Sequence, residues 1–203
     1  MNMLQTAPAA TLILATFVIA SLWALYAAPG MLERGVLRPH TLVPQREWHT
    51  LVTSAFLHAD LAHLFFNGFT FFAFGFGLEQ RMGTPAFVAL YFFGMLVSDA
   101  GTWLKQRHNP QYRTLGASGA ILAVLFASIV YFPSNSIFIL PIPVPIPAPL
   151  FALAYLAYSI YASRRGGGRI NHDAHLSGAV AGVLFVAASD PAAFDRAWQS
   201  IVG

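Results

Sequence analysis

Charged side chains are absent from five stretches of the chain, 1–30, 61–78, 82–98, 114–163 and 174–189. Within them apolar residues are nearly continuous. Runs of about 17 to 25 such residues are what a hydrocarbon layer of about 30 Å requires of a helix. The 114–163 stretch is too long for one helix. Its middle carries prolines at 133, 141, 143, 145, 147 and 149, and proline both lacks a backbone donor and breaks helix interiors. That middle is expected to be a turn and an extended connector. Six membrane spans are therefore predicted, at about 10–28, 61–78, 84–103, 117–131, 149–163 and 173–188. Pro85 suits the first turn of the third. The segment from Pro29 to Asp60 mixes charges, prolines and aromatics and is read as a long loop. "RRGGGRIN" is read as a flexible one.

Composition agrees with this pattern. Of 203 residues, 57% are hydrophobic and 9% charged, and mean hydropathy is +0.60. A soluble domain carries about 25% charged residues. The expected class is an all-α polytopic membrane protein, one bundle over residues 1–203. The first run has no basic segment before it, so it reads as a retained span rather than a cleaved signal peptide. With no cysteine, disulfide and thiolate chemistry are excluded. The net charge of +3 is read as topology signals and lipid contacts, not as nucleic-acid binding.

Polar residues inside the spans narrow the chemistry. His63 and Asn67 are four apart in the second span and share a helix face. Ionisable groups at such depth point to function, although interhelical hydrogen bonding alone would explain them as well. In the sixth span His175, Gly178 and Gly182 fall at i, i+3 and i+7. A Gly-x-x-x-Gly face admits another helix very closely, and the start of the fourth span offers small residues to meet it: Gly116, Ala117, Ser118, Gly119 and Ala120. Such an approach would bring Ser118 within reach of His175, and a serine hydroxyl needs an adjacent base to act as a nucleophile. If the fourth span begins at Ser118, it is short for the bilayer. The serine would then sit below one membrane surface, among the free amides of a helix N-terminus that suit a developing oxyanion.

Asp173, two residues from His175, points to another face and is read as a helix N-cap rather than a triad acid. Glu79 and Arg81 are read as a structural ion pair, and Asp99 as solvated near an interface. His58, His63, His172 and His175 lack the H-E-x-x-H spacing of zinc proteases, so no metal is expected, nor any cofactor.

Four stretches, in this order, resemble the rhomboid family of intramembrane serine proteases: "HADLAHLFFN", "EQRMG", "GASG" and "AHLSGAVAG". The resemblance covers about Trp48 to Gly182. It implies a rhomboid-like bundle of six transmembrane helices, a Ser118–His175 dyad without a third acid, and an oxyanion hole from the Ser118 amide with His63 and Asn67. Gly116, Gly119, Gly178 and Gly182 would be packing positions at the site. It further implies substrates that are transmembrane segments of other proteins, a first loop (Pro29 to Asp60) lying partly in the membrane, and substrate entry past the fifth span and its loop (Phe151 to Asn171). The expected setting is the inner (plasma) membrane of a bacterium.

Two positions depart from the family pattern. Trp48 is followed by His49 where the family often has arginine. Leu122 stands where an aromatic residue commonly faces the catalytic histidine, with Phe126 one turn on as a possible substitute. Topology signals also pull two ways. Nine Lys and Arg lie in the loops on the Ser118 side, at 34, 38, 46, 105, 107, 113, 164, 165 and 169, against Arg81 and Arg196 on the other. Basic loops stay cytoplasmic as a rule, whereas the resemblance places the site toward the outer side, and that orientation is preferred. The rival readings are a non-proteolytic rhomboid-like chaperone or scaffold, and a small transporter with His63, Asn67 and His175 along a polar path.

Overall fold

The computed structural model describes residues 2–139, 142–165 and 170–202, so Gly166–Arg169 of the loop read as flexible lie outside the described residues. A one-turn helix, Met3–Thr6, precedes α1 (Pro8–Tyr26). The long first loop folds into short helices at Gly30–Gly35, Pro39–Leu42 and Thr50–Thr53, with a 3₁₀ turn at Ser54–Phe56. Then follow α2 (Leu61–Met82), α3 (Thr84–Gln106), α4 (Ser118–Tyr131), the strands β1 (Ser136–Ile139) and β2 (Ile142–Pro147), α5 (Ala148–Arg165), α6 (His172–Ser189) and α7 (Ala192–Val202). Each predicted span is a helix, with ends shifted by a few residues. The molecule is a multi-spanning helical membrane bundle. Among the described residues α1, α2 and α3 are each long and apolar enough to cross a bilayer alone, and α6 with α7, bent by 106° at their junction, makes a fourth if counted as one span. At 14 residues α4 is short. Arg164, Arg165 and three tyrosines dilute α5.

Local chemistry sets the helix ends. The Asp60 side chain accepts from the His63 amide at 2.8 Å and starts α2. Pro85 lies in the first turn of α3. The cap of α6 is Asn171, whose Oδ1 accepts from the Ala174 amide at 3.0 Å. This corrects the reading of Asp173 as the cap: its carboxylate is engaged elsewhere.

The proline-rich connector is more ordered than a plain linker. β1 and β2 form an antiparallel hairpin, Ile137 opposite Ile146. The register shifts at a bulge between Ile137 and Ile139, and edges and bulges are where a strand tolerates prolines such as 143, 145 and 147. The Ala148 amide donates to Asn135 O at 3.0 Å at the open end of the hairpin.

At the centre of the bundle lies α4, every residue from Gly119 to Ile129 buried. It is wrapped by α2, α3 and α6. A Cβ on Gly178 would overlap the Gly119 carbonyl, and one on Gly182 the Ala123 carbonyl. The Gly-x-x-x-Gly face thus meets the backbone of α4, as the spacing predicted.

Glu79 and Arg81 are structural, but not as a mutual pair. Glu79 is 1% exposed. Its carboxylate accepts from the Ala9 amide at 3.1 Å, the Ala10 amide at 2.7 Å and the Thr84 hydroxyl at 2.7 Å. It therefore caps the N-terminus of α1, where a negative charge is favoured, from within α2, which runs past the predicted end at Leu78 to Met82. Arg81 instead sits over the Tyr131 ring, 5.6 Å from its centroid. Glu79→Ala strands two buried amides. The expected cost is about 3 kcal/mol, read as a lower midpoint when the protein is unfolded from mild detergent by a denaturing one.

Candidate active site

The segment that delivers Ser118 is fastened to the first loop. Leu37 and Thr114 exchange backbone hydrogen bonds at 3.1 and 3.0 Å, and the Gly116 amide donates to Ser54 O at 2.9 Å. Gly116 has φ +119°, a conformation that favours glycine. It also needs the space, since a Cβ there would stand 2.7 Å from His63 Nε2. Three backbone hydrogen bonds thus tie the residues before α4 to the first loop. Ser118 is the first residue of α4, and the helical ladder begins with the Ile121 amide bonding Ala117 O at 2.9 Å. The amides before it have no partner within the helix.

His63 and Asn67 lie on one face of α2, beside this loop, with Asn67 Nδ2 also next to Gly116. Asn67 is 7% exposed, and its Nδ2 has no hydrogen-bond partner among the described residues. A buried donor left unpaired is costly, and this one borders a groove. The groove, of about 410 Å³, is lined by Asn67, Ser118 and His175, with Leu122, Tyr155 and Ile137 among its apolar walls. Its sides are α2, α4 and α5, and the β-hairpin contributes as well. Rim residues Phe66, Phe69, Phe138 and Tyr158 are exposed. The structure thus brings Ser118, His175 and Asn67 to one cavity. It places His63 at the loop preceding Ser118, and Gly119 and Gly178 at the helix contact beside them.

His58 has a supporting position. It is fully buried, its Nδ1 is 2.9 Å from the Ser21 hydroxyl of α1, and its ring stands edge-on to His63 at 5.0 Å. His49, the departure after Trp48, has its Nε2 3.3 Å from Arg34 O and so ties together two helices of the first loop. Asp99, expected to be solvated, is instead buried, and its Oδ2 has no hydrogen-bond partner among the described residues.

Asp173 and Lys105 form a clasp at the loop-side end of three helices. Lys105 Nζ of α3 lies 2.8 Å from Asp173 Oδ1 of α6 and donates to Ser163 O of α5 at 2.6 Å. The Ser163 hydroxyl donates to the same Asp173 oxygen at 2.5 Å. Burial first, then the Asp173 charge, push the nearby Tyr112 hydroxyl up to about 12, so it stays neutral.

One site residue was not foreseen. Tyr155 of α5 sets its hydroxyl 2.9 Å from His175 Nδ1, the two rings lying end to end with centroids 6.5 Å apart and planes 25° apart. Phe126, the expected substitute, packs against Tyr155 instead, with ring centroids 5.9 Å apart. Leu122 forms groove wall. The available signal was the phenol itself: a tyrosine in an apolar span needs a partner for its hydroxyl.

Comparison with known proteins bears on this arrangement. The family model described as the Rhomboid domain matches residues 45–189, from the first loop to the end of α6. The chain belongs to the rhomboid family. YdcA of Bacillus subtilis (strain 168), whose name also places it among rhomboids, is 33% identical over 121 residues, covering 58% of this chain and 59% of the relative. "Rhomboid protease GluP" of the same organism is 31% identical over 98 residues, 48% of this chain and 18% of the relative. "RHOMBOID-like protein 12, mitochondrial" of Arabidopsis thaliana is 26% identical over 151 residues, 67% of this chain and 45% of the relative. The chain therefore spans less than two thirds of the length of each.

Proposed function

We propose that this rhomboid-family chain is an intramembrane serine endopeptidase that cleaves transmembrane segments of other membrane proteins. Ser118 attacks the scissile carbonyl. His175 takes the hydroxyl proton as general base and returns it to the leaving amine as general acid. Water then enters and the same histidine serves the second half-reaction. The Ser118 amide, Asn67 Nδ2 and His63 stabilise the oxyanion.

The observation that carries this reading is the groove itself: the serine at a helix start, a histidine, and a buried amide donor line one cavity whose other walls are apolar. Such walls suit a transmembrane segment arriving from lipid. Helices α1 to α6 are read as six spans of one domain, with short α4 submerged and shielded by its neighbours. The expected setting is a bacterial inner membrane, with the groove toward the outer side. The relatives named as rhomboid proteases support the same activity.

A fluorophosphonate probe tests the nucleophile without a known substrate. The detergent-solubilised protein is expected to be modified at Ser118, found by peptide mass mapping, and His175→Ala should remove at least nine tenths of the labelling. Labelling at another serine, or labelling independent of His175, would overturn the assignment.

A further inference from the structure

We infer that Tyr155 is a positioning residue for His175, holding the imidazole in the tautomer that can deprotonate Ser118. The inference rests on the Ser118–His175 dyad proposed above and goes beyond it by assigning the group that orients the base.

A dyad has no carboxylate to fix its histidine. An imidazole used as a base must present an unprotonated nitrogen to the serine, so the other nitrogen must carry the proton and have an acceptor for it. Here the atom 2.9 Å from His175 Nδ1 is the Tyr155 hydroxyl oxygen. Nδ1–H donating to that oxygen leaves Nε2 with its lone pair free. The opposite arrangement, with the phenol donating to Nδ1, would put the proton on Nε2 and leave no base for the serine. The reactive form is therefore the one in which the phenol oxygen accepts, the role an aspartate performs in a triad.

Ring packing sets the direction of that oxygen. Tyr155 is stacked on Phe151 at 5.6 Å and 29° and has Phe126 beside it at 5.9 Å. With the hydroxyl between them, the Tyr155 and His175 rings lie end to end in nearly parallel planes, 25° apart with centroids 6.5 Å apart, so the phenol oxygen meets Nδ1 near the imidazole plane, where an N–H points. Leu122 has no acceptor to supply. Asp173 is occupied by Lys105 and Ser163. His172 stands edge-on to His175 at 6.1 Å.

The test compares Tyr155→Phe with Tyr155→Ala, Ser118→Ala and the unchanged protein, using a transmembrane substrate and the fluorophosphonate probe. Tyr155→Phe keeps the ring and its stack on Phe151 and loses only the acceptor. It should lower kcat about tenfold or more, leave KM within about twofold, and slow Ser118 labelling by the same factor, with the thermal midpoint unchanged. Tyr155→Ala should be slower still. In ¹⁵N-histidine spectra of the protein in micelles, His175 should carry its proton on Nδ1, and this preference should fall in Tyr155→Phe. Full activity and labelling in Tyr155→Phe, with Ser118→Ala inactive, would overturn the inference and leave the dyad standing. Cleavage surviving in Ser118→Ala would overturn the dyad itself.

Discussion

Replacing Ser118 by alanine should reduce cleavage of a single-span substrate to background, a loss of about 10⁴-fold or more, with folding intact. The side chain removed is small, half-buried and faces the groove, so its loss opens no cavity of consequence. His175→Ala should lose about as much. The double variant should lose no more than either single one, because nucleophile and base act as a unit and their deletions do not add. Measured initial rates for the four proteins, against a substrate reconstituted in the same detergent, give both results. Two losses that multiply would mean that the residues work independently, and the dyad would then be wrong. Residual cleavage in Ser118→Ala above the no-enzyme control would point to another nucleophile.

Gly178→Leu should unfold the site rather than disable its chemistry. The new side chain would meet the Gly119 carbonyl, which is backbone and cannot swing aside. Helices α4 and α6 would have to part where they deliver Ser118 and His175. Overpacking a well-filled interior costs about 1 to 3 kcal/mol and sometimes more. Here a rigid backbone is the obstacle, so a cost of about 3 kcal/mol or more is expected. Unfolding by a denaturing detergent, followed by circular dichroism, measures it. Gly178→Ala should show a smaller effect in the same direction. An unchanged midpoint for Gly178→Leu would mean that α4 and α6 are not in this contact.

Local patterns made much of the architecture readable. An apolar run of span length has few alternatives to a helix, because every backbone group in lipid must be paired internally. The helix starts at Leu61, Thr84 and Ser118 were accordingly legible. So was the Gly178/Gly182 face, since the i, i+4 spacing fixes it whatever the partner. What was misread depended on a second segment. Glu79 looks like a loop charge until the N-terminus of α1 is set above it, within an α2 that runs to Met82. Asp173 has the residue type and position of a cap, but Asn171 takes that role while Lys105 and Ser163 claim the aspartate. The Pro-Ile run looks irregular from one strand's propensities. It becomes a hairpin once β1 is there to pair with it, around a bulge that accommodates prolines.

By itself, the sequence determined the helical membrane class, the six apolar segments, the family motifs, and the faces on which His63, Asn67, His175 and the glycines stand. These follow from hydropathy and helical period, which are properties of one segment at a time. Only the tertiary structure decided that Asn67, Ser118 and His175 border one groove, that the first loop holds Gly116 in place for α4, and that Tyr155 rather than Leu122 or Phe126 faces the imidazole. The reason is physical. Nothing in the local pattern of α5 says how it is rotated against α6, and a rotation of one residue, about 100° on a helix, would have turned the Tyr155 hydroxyl away from His175.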